Sequence, residues 1–228
     1  MSTAHRTEAH TRLREALVAA PPSARLQAAL SAGTYPDPDY VEALVERCAI
    51  EPDFYVRDML TWSLTRHPAS ITVPRLIEET RSANGQARSQ ALHTLSKIGD
   101  PRGWTAITPE LLHDSDEEVA RSAWRAAVAL VPEGGEAELA RVLSMRLGRG
   151  DRDVQLSLSR SLVDLGEAAL PVLADAARRG DEHVQAHAIA TERLIDDPDE
   201  GFDTAIFEAK RYVALKNAPT IPDGLADR

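Results

Sequence analysis

His183 and His187 stand four residues apart in a segment of helical periodicity, with Glu182 and Glu192 near them in sequence. Two imidazoles one turn apart can share a metal ion. Both also border the inward stripe of the last repeated segment, where solvated helix surface is the favoured expectation, and neither a metal nor a cofactor is expected. Asp58 and Trp62 are likewise one turn apart, as are Arg121 and Arg125. Guanidinium groups bind carboxylates or phosphates through paired contacts, and an indole supplies a large apolar anchor. The remaining histidines, His5, His10, His67, His93 and His113, follow no nucleophile pattern, and neither a Gly-rich phosphate loop nor Gly-x-Ser-x-Gly occurs. Cys48 is the only cysteine, which excludes an intrachain disulfide and a multi-cysteine metal site. It completes a helical stripe with Tyr40, Val41, Leu44 and Val45, so a buried, inert thiol is expected.

The elements that position these residues repeat. Val56, Ala87, Val119, Val154 and Val184 open similar segments roughly 30 to 35 residues apart, the period of a two-helix unit that cannot bury its apolar side alone. Asp53, Asp116, Asp151 and Asp181 precede four of them. Residues at i, i+4 and i+8 share one helix face. That rule gives the columns Val56, Leu60, Leu64; Ala87, Ala91, Leu95; Val119, Ala123, Ala127; Val154, Leu158, Leu162; and Val184, Ala188, Glu192. Only Glu192 breaks the pattern, in the last copy, where a stack must turn a polar side to water. A second apolar helix precedes each anchor helix. The pairs Pro74/Leu76, Pro109/Leu111 and Pro171/Leu173 place its first turn, where a proline costs no hydrogen bond.

An acidic turn, then Asp-x-x-Val-Arg or Val-Gln, then an Ala/Leu ladder closing in Ile98-Gly99-Asp100-Pro101 resembles the HEAT repeat, in the form first recognised in phycobilin lyases. The resemblance spans about residues 39 to 198. It departs from the pattern where Ala120 separates Val119 from Arg121 and where the unit beginning near Glu136 has no proline. It implies an all-α solenoid of about five stacked helix pairs. It implies no single activity, because scaffolds, lyases, a di-iron hydroxylase and DNA glycosylases share the repeat. The hydroxylase uses His-Glu dipeptides, and no His here is followed by Glu. In this repeat type Arg57 and Arg88 are expected to bridge to the turn acids. Chains of similar type stand beside helix-turn-helix regulators, which implies a regulatory complex, although no DNA-reading domain is evident in this sequence.

Once the core column is fixed, positions +2, +6 and +9 from each anchor point away from it. The resemblance to HEAT-like stacks implies that the second helix of each pair lines the concave side, which makes these positions the expected groove. Asp58, Trp62, His93, Arg121, Arg125, Arg160 and Arg193 are therefore the expected partner-binding groove, acid and aromatic at one end and arginines towards the other. Leu156, Val163, Ala186 and Ala190 belong to the same set of outward positions. The function expected is that of a non-enzymatic adaptor or scaffold for a protein partner with an acidic segment. The alternative is a DNA-binding protein of the alkylpurine glycosylase kind, for which Asp58, Trp62, Arg121 and Arg125 are suitable residue types. The formal net charge of −10 and an aromatic content of 4% oppose nucleic acid. No pigment-binding constellation favours a lyase.

Composition agrees with an all-helical, cytoplasmic chain, since Ala and Leu dominate and no alternating β pattern recurs. Met1 to Arg6 lack the apolar core of a leader peptide, and no apolar run approaches the roughly 20 residues that span a bilayer. Residues 1–38 are expected to form capping helices, 39–200 the repeats, 201–216 a C-terminal cap and 217–228 a mobile tail. Within that cap Phe202, Ile206, Phe207, Ala209 and Val213 are expected to form the apolar face.

Overall fold

The computed structural model describes residues 3–218, among which every regular element is a helix. Met1, Ser2 and all of the expected tail beyond Ala218 lie outside the described residues. The chain divides into two compact units, Met1–Gly135 and Glu136–Arg228. The division follows Pro132-Glu133-Gly134-Gly135, in the longest of the anchor intervals.

The first unit contains α1 (Thr3–Leu17), α2 (Pro22–Thr34), α3 (Val41–Cys48), α4 (Phe54–Thr65), α5 (Ala69–Glu79), α6 (Gly85–Ile98), the single turn α7 (Pro109–Leu112) and α8 (Glu117–Leu130). Helices α3/α4, α5/α6 and α7/α8 form three pairs, and α2 packs on α4, α4 on α6 and α6 on α8. The second unit contains α9 (Glu136–Ser144), α10 (Arg152–Asp164), α11 (Leu170–Arg179), α12 (Glu182–Asp196) and α13 (Phe202–Lys216). There α9/α10 and α11/α12 are the pairs, and α13 lies on α12. The fold is thus all-α, with five helix pairs among the described residues and helical caps at both ends.

The repeated residues explain the repeated geometry. Asp53, Asn84, Asp116, Asp151 and Asp181 each cap an anchor helix by accepting a hydrogen bond from a first-turn N–H. Each such cap is worth about 1 kcal/mol. The residue after the anchor ties the helix to the turn before it. Arg57 donates to the carbonyls of Glu51 and Pro52, and Arg88 to those of Ser82 and Ala83. Gln155 and Gln185 donate to Gly150 and Gly180. The arginine bridge expected to turn acids is therefore made mainly to turn carbonyls, although Arg88 also meets Asp114 at 3.0 Å. Ala120, in the register of these donors, is buried and supplies no such tie.

The apolar columns form the core. Fourteen of the fifteen column positions are apolar, and all of these except Val184 are buried; Val184 and Glu192 are half-buried. Consecutive anchor helices are also joined by hydroxyl pairs: Thr61 with Thr94 at 3.2 Å, Ser89 with Ser122 at 3.0 Å and Ser159 with Thr191 at 2.8 Å. Trp124, fully buried, donates its indole N–H to the carbonyl of Leu112 at 2.9 Å and so locks α8 to α7.

Three expectations require correction. Pro109 and Pro171 do stand in first turns, but Pro74 lies inside α5. Its exposed position lets water take the carbonyl it leaves without a donor. Phe207 on α13 is exposed, because Phe202, Ala205, Ala209 and Val213 are the residues that turn inward. His187 is fully buried rather than solvated. Its Nδ1 accepts the N–H of Gly148 at 3.0 Å, and its Nε2 lies 3.0 Å from the Ser159 hydroxyl and 3.1 Å from the Gln155 carbonyl. Gly148 has φ +74°, and a Cβ there would lie 2.8 Å from the Val184 nitrogen, so glycine is needed at the contact that receives the imidazole.

Candidate functional site

Three capped and cross-tied helices of the first unit, α4, α6 and α8, border a common cleft. A cleft of about 240 Å³ opens there, lined by Phe54, Arg57 and Asp58 of α4, Ser89, Gln90 and His93 of α6, and Glu118, Ser122 and Arg125 of α8. Asp58, His93 and Arg125, assigned to a groove from the repeat register, thus share one wall system. The Ser89–Ser122 bond fixes the floor between α6 and α8. Helices that carry polar groups on a rigid base are better suited to specific recognition than loops.

The polar groups of this cleft are only partly satisfied among themselves. Arg125 donates to the Ser122 hydroxyl at 3.0 Å and has Glu118 at 3.8 Å. Burial pushes its guanidinium pKa down, with Arg121 adding to the effect and Glu118 opposing it. Arg121 has Glu118 at 3.5 Å, while its Nε is buried without a hydrogen-bond partner. The Glu118 carboxylate is therefore shared between two guanidinium groups at the outer limit of ion-pair distance. The Gln90 Oε1 is buried without a partner. His93 is pulled below the usual histidine range by burial and then by Arg125 and Lys97, against the raising influence of Asp58. Asp58 itself is exposed and makes no hydrogen bond or ion pair among the described residues.

Trp62 does not line this cleft. Its ring packs on Gly33 of α2, where an added Cβ would fall 2.4 Å from Cζ3, and it keeps 38% of its surface exposed. It shares a face of α4 with Phe54 and Asp58, since the three are spaced i, i+4 and i+8.

In the second unit the outward positions behave differently. Ala186 and Ala190 are buried beneath α13 with Phe202, Ala205, Ala209 and Val213, and Leu156 and Val163 pack against the same cluster. The face that reads as open in the repeat register is therefore covered by the chain's own last helix. Arg193 is held in a two-point ion pair with Glu200 at 2.9 and 2.6 Å. Arg160 stays exposed and makes no hydrogen bond or ion pair among the described residues.

The other candidate chemistry resolves into structural roles. His183 is exposed while His187 is buried and satisfied, and among the described residues no group of three or more His, Cys, Asp or Glu is arranged to hold a metal ion. Burial pushes the Cys48 thiol up to about 12, which leaves it protonated and inert. Sequence reasoning missed the most highly charged interior cluster. Glu51, fully buried, receives Arg25 at 2.8 Å on each oxygen, Arg47 at 2.7 Å and the Asp53 N–H at 2.9 Å. Arg25 also donates to the Ala19 and Ala20 carbonyls, so the cluster pins the α1–α2 cap to α3.

No protein-family model matches the chain, and no curated protein does either. Among solved structures, the complex of CpcE and CpcF of phycocyanin lyase from Nostoc sp. PCC7120 is similar at 17% identity and a TM-score of 0.48, over 94% of this chain and 90% of that one. An engineered protein solved as a structural-genomics target is similar at 19% identity and a TM-score of 0.45, over 88% of this chain and 97% of that one. Likenesses of that degree imply no activity or partner, and the fold assignment rests on the helix pairs themselves. Among the described residues no helix is long and apolar enough to cross a membrane.

Proposed function

We propose that this chain is a non-enzymatic helical-repeat adaptor and that the cleft between α4, α6 and α8 holds a segment of a protein partner. The observation that carries the reading is the unmet polar chemistry of one rigid cleft: Arg125, whose acid Glu118 stands off at 3.8 Å, the unpartnered Gln90 Oε1, and Asp58, which makes no ion pair among the described residues. Buried polar groups are normally paired within the fold, and groups left unpaired in a cleft are fitted to an outside partner. An acidic side chain of the partner would meet Arg125. Phe54, in the lining of the cleft and 65% exposed, supplies apolar area of the kind enriched in interface anchors. Recruitment of a regulatory protein is the role that fits such a surface.

The test is affinity capture from native lysate by the tagged chain and by Arg125→Glu. A captured protein should be lost with Arg125→Glu and kept with Glu78→Arg, an exposed acid of α5 outside the cleft. Both variants should melt within a few degrees of the parent, because exposed charge changes shift stability by less than about 0.5 kcal/mol. Equal capture by parent and Arg125→Glu would remove the cleft from the account.

A further inference from the structure

We infer that His93 meets the partner's acidic side chain together with Arg125 and takes up a proton as it does so, so that the cleft holds its segment more tightly as the medium becomes more acidic. This inference rests on the adaptor reading and adds the regulation of that site. His93 and Arg125 stand six residues after their anchors, Ala87 and Val119, so the repeat places them at one level of neighbouring helices. Both line the cleft, and the Ser89–Ser122 bond holds α6 and α8 together. A carboxylate seated on Arg125 therefore stands beside the imidazole.

The imidazole is free for this role. It is half-buried and makes no hydrogen bond or ion pair among the described residues, unlike His67, whose Nδ1 lies 2.8 Å from the Ser63 carbonyl, and unlike His187. The charged groups around it are Arg57 and Asp58 on α4, Lys97 on its own helix, and Glu118 and Arg125 on α8. Arg57 is committed to the Glu51 and Pro52 carbonyls, and Glu118 is shared between Arg121 and Arg125. Burial, then Arg125 and Lys97, favours the neutral ring, and Asp58 opposes them. A partner carboxylate on Arg125 offsets the guanidinium and brings a negative charge of its own, and both changes favour the imidazolium. By reciprocity, a proton on His93 strengthens the carboxylate's binding by the same factor. The proton comes from solvent, and the imidazolium donates its N–H to the carboxylate.

The probe is acetyl-Gly-Glu-Gly-amide, with acetyl-Gly-Gln-Gly-amide as the neutral control. Each is titrated into the full chain at about pH 7.5 and about pH 5.5, which bracket the ordinary histidine range and leave the glutamate ionised. The His93 imidazole is followed by NMR and assigned by its absence from His93→Gln. In the free chain Asp58→Asn should lower the His93 titration midpoint, and Arg125→Gln should raise it. The glutamate probe should raise the midpoint and bind roughly threefold to tenfold more tightly at the lower pH. His93→Gln should bind it equally at both pH values, and the glutamine probe should leave the midpoint where it was. Circular dichroism at both pH values checks that each variant keeps its fold. Equal affinity of the parent at both pH values, a gain that persists in His93→Gln, midpoints that ignore Asp58→Asn and Arg125→Gln, or no binding of the glutamate probe would each overturn the inference. Loss of the probe, or of the captured protein, in Arg125→Glu would then leave the acidic-segment reading standing without it. Failure of the probe together with failure of capture would sink both.

Discussion

Glu51→Gln should destabilise the first unit more than any surface substitution, although Gln preserves the shape of the side chain. Glu51 is inaccessible to solvent, and the guanidinium side chains of Arg25 and Arg47 are only 7% and 12% exposed. Arg25 meets both carboxylate oxygens at 2.8 Å, Arg47 meets one at 2.7 Å, and the Asp53 N–H meets the other at 2.9 Å. A neutral amide has one oxygen to offer, and its NH₂ faces a donor. Two cations then remain buried without the carboxylate that bridges them. Removing one partner of a buried pair costs about 3–5 kcal/mol. For a unit of 135 residues each kcal/mol moves the melting temperature by about 3–5 °C, so the fall should be about 10–20 °C. Burial alone would raise the Glu51 carboxyl, but Arg25, the Asp53 amide and Arg47 outweigh it and bring it down to about 2 from an ordinary 4.5. A depressed carboxyl contributes stability above its unfolded pKa and loses it as pH falls towards the folded value. The parent should therefore lose stability between about pH 4.5 and pH 2 on this account, and Glu51→Gln should lack that part of the acid limb. Thermal melts by circular dichroism at pH 7 and pH 3 read both effects. A Glu51→Gln melting temperature within about 2 °C of the parent at pH 7 would refute the cluster as the tie between the cap and α3.

Acid should also act through His187, whose pKa burial lowers to about 4, with the Gln155 carbonyl opposing and Lys210 adding to the shift. An imidazole depressed in the folded state contributes stability above about 6.5 and loses it as pH falls through about 4, a loss of about 3 kcal/mol. His187→Gln should flatten the stability profile of the second unit between those values, and an unchanged slope would refute the neutral, doubly bonded imidazole. Replacing Leu60, Leu95 or Leu158 with Asp places a charge in a column that is at most 1% exposed, at a cost of at least about 3 kcal/mol. Each variant should melt far below a parent whose circular dichroism is helical, and substantial β signal in the parent would end the helix-pair account. Duplex DNA with an alkylated purine should be neither held at physiological salt nor depurinated, because a net charge of −10 opposes phosphate. Base release abolished by Asp58→Asn would replace the adaptor with an enzyme.

The helix pairs were legible because one physical constraint, an apolar column at i, i+4 and i+8, recurs with its capping residue at a fixed interval. The turn ties were legible as residue types at the position after the anchor, although their acceptors are carbonyls that no side-chain pattern encodes. Glu51 was not legible, because Arg25 lies 26 residues away in a cap and Glu51 reads as one more acid of a turn. His187 sits at the register that faces the preceding anchor helix, where small hydroxyl residues otherwise pair. The run Thr61, Thr94, Ser89, Ser122, Ser159, Thr191 was the available signal that this face is buried and polar. The covering of α12 by α13 also left a trace. At the outward positions the first unit carries Asp58, Trp62, His93, Arg121 and Arg125, whereas the second carries Leu156, Val163, Ala186 and Ala190 beside Arg160 and Arg193. The four apolar positions mark where a helix of the chain takes the place of water.

The central claim is that a protein partner occupies the first-unit cleft, and site-directed photocrosslinking tests it most directly. A benzophenone side chain placed at Gln86, half-buried beside Gln90 and the Glu118 edge of the cleft, is compared with one at Glu78 on α5. The account predicts a discrete crosslinked protein at position 86 that disappears when Arg125→Glu is added and that is absent at position 78. The same adduct at both positions, or an adduct at 78 alone, would contradict it.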